Sequence, residues 1–176
     1  EHANSEAYVF IPSITDNKSK YLFSPGCQLG ASKPDYILKS FDFLKEIDND
    51  VSLLVACCGV PADWAGDEEL RDKVHNNIID EWTKVGKPTV VLSWPTCMKT
   101  FNSYMPHINT ISLYELMVRN FKKVWRNSLK QGTVAIYDPC SSRQDNVMQK
   151  SIRKLINEAG YEIEELDYSG ERARCC

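Results

Sequence analysis

Val51-Ser52-Leu53-Leu54-Val55-Ala56 runs directly into Cys57-Cys58-Gly59. A short apolar run of this kind suits a strand buried on both faces, and the strand stops where the run stops. It therefore delivers two adjacent thiols to its carboxyl end. The same construction recurs on either side. Tyr21-Leu22-Phe23 enters Ser24-Pro25-Gly26-Cys27, and the β-rich run from Thr89 to Leu92 leads into Trp94-Pro95-Thr96-Cys97. Three strand ends point at cysteines. Between them, residues 35–47 place Ile37, Leu38, Phe41 and Leu44 at helical spacing. Residues 67–85 read as a second helix, with Asp67, Glu68 and Glu69 complementing the dipole of its first turn and Gly86 ending it. Strands that alternate with helices run mostly parallel, and ligands gather where such strands end.

The second half repeats the order. Thr110-Ile111 is a short strand, residues 113–129 a long helical segment, and Gln131-Gly132 a break. Residues 133–137 form a strand ending at Asp138-Pro139-Cys140, residues 145–159 a helix closed by Gly160, and residues 161–166 a strand before the loop that reaches Cys175-Cys176. The expected fold class is α/β, with mostly parallel sheets flanked by helices. It is divided into an N-terminal extension over 1–20, a first lobe over 21–130 and a partial second lobe over 131–176.

Composition narrows the function. A chain of 176 residues with 43% hydrophobic and 26% charged residues is an ordinary globular protein. A formal charge of -3 and a pI near 5.7 give no general attraction to nucleic acid or to anionic lipid. No run of about 18 apolar residues is present to span a membrane, and the start has no signal-peptide pattern. No glycine-rich dinucleotide fingerprint or phosphate-binding loop appears, so flavin or nicotinamide chemistry is expected only in a partner.

Seven cysteines is an odd number. Without an export signal, thiols are expected in a reducing, cytoplasmic setting, where they serve metal or redox chemistry. Neighbouring cysteines seldom bridge each other, because the small ring strains the disulfide. Four thiolates meeting at one point suit a soft metal centre. Cys27, Cys57, Cys58 and Cys97 are the first candidate set; Cys140, Cys175 and Cys176 form a partial second one.

The strings Phe23-Ser24-Pro25-Gly26-Cys27, Cys57-Cys58-Gly59 with Pro61 and Gly66-Asp67-Glu68 after it, Pro95-Thr96-Cys97, and Asp138-Pro139-Cys140 with Arg143 nearby resemble the cysteine-rich CCG domain. That domain occurs in the catalytic subunit of heterodisulfide reductase, and in iron-sulfur subunits of anaerobic glycerol-3-phosphate dehydrogenase, glycolate oxidase and lactate-utilisation oxidoreductases. The resemblance covers residues 21–176. It implies two pseudo-repeated CCG lobes, the second incomplete, and at least one [4Fe-4S] cluster on the first four thiols, noncubane in some relatives. It further implies electron transfer or thiol-disulfide reduction beside a flavoprotein or other iron-sulfur subunits, with FAD or NAD held by the partner. A small thiol, disulfide or organic acid is the implied redox couple, and any membrane association would run through a partner.

Two departures stand out. The family reads Cys-Pro-Thr-Cys where this chain has Trp94 in the first position, and the second motif stops at Cys176. An ordinary cubane needs four thiolates, which the first motif retains. Amides near Gly26, Gly59 and Gly66 are expected to face sulfur, with Trp64, Trp94 and Pro95 excluding water and Arg143 beside the second motif. Arg172 and Arg174 are expected to lower thiol pKa values there.

Other readings stay open. Buried cysteine also serves as a small hydrophobe. A zinc site on the same four thiolates is chemically open. A degenerate domain acting as a binding or assembly subunit also fits, given Trp94 and the incomplete second motif. His2, His75 and His107 read as surface or core residues. Asp63 and Asp138 lie near cysteine motifs but read first as turn-formers, and Trp82, at helical spacing from Ile78 and Ile79, as core. The sequence assigns no catalytic residue.

Overall fold

A computed structural model describes residues 8–13, 18–121 and 132–175. The chain divides into two compact units, Glu1–Ile111 and Ser112–Cys176. The fold is α/β with a mostly parallel principal sheet, as the alternating pattern predicts.

In the first unit, strands β1 (Val9–Ile11), β2 (Tyr21–Ser24), β3 (Val51–Val55), β4 (Thr89–Leu92) and β5 (Thr110–Ser112) form one sheet in the order β1-β3-β2-β4-β5. β2 lies between β3 and β4 and is parallel to both, with Phe23 opposite Leu53 on one side and Val91 on the other. β1 is antiparallel to β3 and caps that edge. From sequence it is only a short apolar stretch, because three residues carry too little periodicity to read.

The helices are α1 (Cys27–Ser32), α2 (Pro34–Ile47), α3 (Val60–Trp64), α4 (Glu68–Lys84) and α5 (Pro95–Tyr104). α2 buries Ile37, Phe41 and Leu44, three of the four positions picked out by spacing; Leu38 faces outward, 58% exposed. α4 starts where Asp67 accepts the Leu70 N–H at 2.9 Å, the expected capping of an orphan donor. The apolar pattern does not announce α5. This helix buries Cys97, Thr100 and Phe101 at helical spacing, but a thiol and a hydroxyl do not register as an apolar stripe.

The core joins Leu22, Leu54, Ile78, Trp82, Val90, Leu92, Phe101 and Met105, and it takes in Cys58 and Cys97. Burying each such leucine stabilises the fold by roughly 2 kcal/mol. The Trp82 indole N–H donates to the Pro88 carbonyl at 2.7 Å, which satisfies its one polar atom inside this core.

In the second unit, α6 (Leu113–Arg119) follows β5 and ends at its C-cap Asn120, short of the single helix expected over 113–129; residues 122–131 lie outside the described residues. β6 (Thr133–Ile136) and β7 (Glu162–Glu165) pair in parallel, as their crossover through α7 (Asn146–Glu158) requires. Among the described residues no helix is long and apolar enough to cross a membrane.

Candidate metal centre

The parallel strands β2, β3 and β4 all end on the same side of the sheet. Three residues after β2, Cys27 opens α1; two residues after β3, Cys57 and then Cys58 precede the left-handed turn at Gly59, φ 87°; and Cys97 lies in the first turn of α5 after β4. The Ser93 hydroxyl donates to the Pro25 carbonyl at 2.8 Å and ties the β4 loop to the β2 loop. Gly26, φ 85°, brings its backbone so near Cys97 that an added Cβ would sit 3.2 Å from Cys97 Sγ.

These connections bring four thiols together. Cys27 and Cys57, Cys57 and Cys58, and Cys58 and Cys97 are neighbouring pairs, close enough for each thiol to shift the ionisation of the next. Cys57, Cys58 and Cys97 are buried and Cys27 is half-buried, which makes Cys27 the outermost of the four. None of the six described cysteines is in a disulfide.

Their ionisation follows from the crowding. Hydrogen bonding to Cys57, then burial, pushes the Cys27 thiol well above its ordinary range. For Cys57, donation from Cys27 favours the thiolate, but contact with Cys58 and burial outweigh it and the net shift is upward. For Cys58, contact with Cys57 lowers the pKa, while contact with Cys97 and burial raise it to about 12. Such thiols bind a metal only by releasing protons. Backbone amides oppose that trend locally: those of Cys27 and Gln28 face the Cys27 sulfur, Gly59 faces Cys57, and Val60 faces Cys58. All four donors belong to the starts of α1 and α3, where N–H groups are unused by the helix and favour negative charge.

Among the described residues no three His, Cys, Asp or Glu side chains converge so as to hold a single metal ion. Four neighbouring thiols with amide donors behind them have the soft, proton-releasing chemistry that either a zinc ion or an iron-sulfur cluster takes as ligand.

Several predicted neighbours sit elsewhere. Trp64 is 74% exposed and faces solvent, whereas Trp94, 39% exposed, keeps its Cβ beside Gly26 at the approach to Cys97. The Gly66 amide donates to the Asp63 carbonyl and closes α3 instead of facing sulfur. Gly26 matters for close approach, since its backbone passes beside Cys97 Sγ.

His75 is more closely tied to the thiols than its place in a charged helix suggests. It is 6% exposed, its Nε2 lies 3.1 Å from the Cys58 carbonyl oxygen, and its ring packs 5.3 Å from that of Tyr104. Burial, the main cause, lowers its pKa and keeps the imidazole neutral. The signal in the sequence is its spacing: His75, Ile78 and Trp82 share the buried stripe of α4. The Tyr104 hydroxyl donates to Asp63, which Arg71 also approaches at 3.4 Å. Asp63 thus fastens α3 to α4 and α5.

The second motif lies in the second unit. Cys140, at the start of a 3-10 turn, and Cys175 are both exposed; Cys176 lies outside the described residues. Arg143 donates through Nε to the Ala173 carbonyl at 2.8 Å, linking the Cys140 turn to the segment before Cys175. Arg174 stacks on Tyr168 with its guanidinium 3.4 Å from the ring centre. Asp138 is buried and held by Arg153 at 2.6 Å and by the Gly170 N–H at 2.8 Å. It is a structural anchor.

A family model described as CCG, a cysteine-rich domain, matches residues 21–102, the segment containing all four neighbouring thiols. No curated protein and no solved structure matches the chain. Over residues 21–102 the chain is therefore similar to the CCG cysteine-rich domain.

Proposed function

We propose that Cys27, Cys57, Cys58 and Cys97 hold a [4Fe-4S] cluster and that the chain works as an oxidoreductase subunit in electron transfer or thiol-disulfide reduction. The observation that carries this reading is the set of neighbouring thiols at the ends of β2, β3 and β4. When bound, such a cluster stores and passes single electrons at a potential set by its surroundings. The chain's own residues supply those surroundings. Burial of Cys57, Cys58 and Cys97 keeps water from three ligand sulfurs, and the Gln28, Gly59 and Val60 amides offset thiolate charge. Cys27, half-buried, marks the side from which electrons or a disulfide would approach.

A flavoprotein or a further iron-sulfur subunit is the proposed partner, in a reducing, cytoplasmic compartment. The test is anaerobic loading of the full chain with iron and sulfide. Iron and sulfide bound in equal amounts, with broad visible absorption that disappears in Cys57→Ser, is the expected result. Colourless protein that binds zinc alone, or no metal at all, would turn the assignment toward a structural or assembly domain.

A further inference from the structure

The Cys58 carbonyl and the Gly59 N–H belong to one peptide group, and the two ends of that group face different partners. The carbonyl oxygen lies 3.1 Å from His75 Nε2 in a buried setting. The N–H faces the Cys57 sulfur. A carbonyl oxygen can only accept, so Nε2 must carry the hydrogen. Donation to a peptide oxygen draws electron density from the nitrogen and makes its N–H a stronger donor, as in any polarised hydrogen-bond chain.

We infer that His75 is a positioning residue that tunes the Cys57 sulfur through the Cys58–Gly59 peptide. The imidazole reaches this peptide because residue 59 is glycine: a Cβ there would lie 3.0 Å from Nε2. The ring is held by Tyr104, whose hydroxyl is anchored on Asp63 at 2.6 Å and whose face is covered by Arg71, 4.9 Å from the ring centre. The relay rests on the proposed cluster for its purpose, but its geometry belongs to the polypeptide alone.

The test uses the full chain, first reduced and metal-free, then loaded anaerobically with iron and sulfide. Nitrogen-15 spectra of the wild type are expected to place the imidazole proton on Nε2; the Nδ1–H tautomer would overturn the relay. In His75→Leu the Gly59 amide proton is expected to move upfield. In His75→Gln, whose side-chain N–H can donate to the same carbonyl, it returns toward its wild-type position. A Gly59 signal unmoved in His75→Leu, with the Trp82 indole signal unchanged, also overturns the relay. Should His75→Leu fail to fold, the wild-type tautomer and the Gln variant decide the matter. In the loaded chain, loss of this outer partner should weaken iron retention about 10-fold and shift the midpoint potential negative, with His75→Gln restoring both. A wild type that takes up no iron while Gly59 responds as expected supports the relay and sinks the cluster. Iron uptake with an indifferent Gly59 does the reverse.

Discussion

The Tyr104 hydroxyl donates to Asp63 at 2.6 Å, so the last residue of α5 is bound to the short helix that follows the Cys57-Cys58 pair. Cys97 lies in the first turn of that same α5. One helix thus carries a thiol at its start and fastens the neighbouring thiol turn at its end.

Removing this link should loosen the turn without unfolding the domain. In Tyr104→Phe the ring remains against His75 while Asp63 keeps only Arg71 as a side-chain partner. Alkylation of Cys57 and Cys58, followed by peptide mass spectrometry, is expected to become faster than in wild type, with a thermal midpoint only slightly lowered. Unchanged labelling would show that Asp63 does not hold the turn.

Three glycines separate backbone strain from steric conflict. Gly66 has φ 75° with nothing within 4 Å of an added Cβ, so Gly66→Ala should cost about 1–2 kcal/mol of left-handed strain and leave the thiols in place. Gly26→Ala carries the same strain and also presses on Cys97 Sγ; Gly59→Ala presses on His75. Both are expected to be less stable than Gly66→Ala in urea and to retain less iron. Equal behaviour of all three would mean that close approach at the sulfurs is unimportant.

Acid should weaken the second unit through Asp138. Burial alone would raise its carboxyl pKa, but the Arg153 pair and the Gly170 N–H outweigh burial and hold it below the ordinary value of 3.8. A carboxylate depressed in this way contributes its stability above the unfolded pKa and loses it as pH falls through the folded one. Urea midpoints should therefore fall below about pH 4. Asp138→Asn should lower stability at pH 7 by roughly 3 kcal/mol at most, because Arg153 keeps Glu165 at 2.5 Å. Its acid-dependent loss should be smaller than that of wild type.

The two cysteine sets are expected to part company under mutation. Cys140 is exposed in the second unit, while the four neighbouring thiols lie wholly in the first. Cys140→Ser should leave the visible absorption of the loaded chain largely intact, whereas Cys58→Ser removes it. Equal loss in both would require Cys140 to take part in the same centre.

Much of this site is readable in one dimension. The run from Val51 to Ala56 announces a buried strand, and a buried strand ending at Cys57 must present both thiols at its carboxyl edge. Asp67 and Gly86 mark the ends of α4 because capping and left-handed turns are local chemistry. The surroundings of the sulfurs are harder to read. Trp64 follows the thiol turn closely in sequence yet faces outward, because helical direction after Gly59 decides where it points. His75, seventeen positions after Cys58, reaches its carbonyl only because α4 packs back on that turn.

By itself the sequence determined that three strand ends carry cysteines, since apolar periodicity and turn residues act over a few neighbours. Only the tertiary structure decided which sulfurs meet. With β2 placed between β3 and β4, the Cys27 loop has the Cys57-Cys58 turn on one side and the Cys97 loop on the other, its thiol beside Cys57 and its Gly26 backbone close to Cys97. Strand order depends on how crossover helices pack across the whole sheet, a long-range burial that no local stretch encodes.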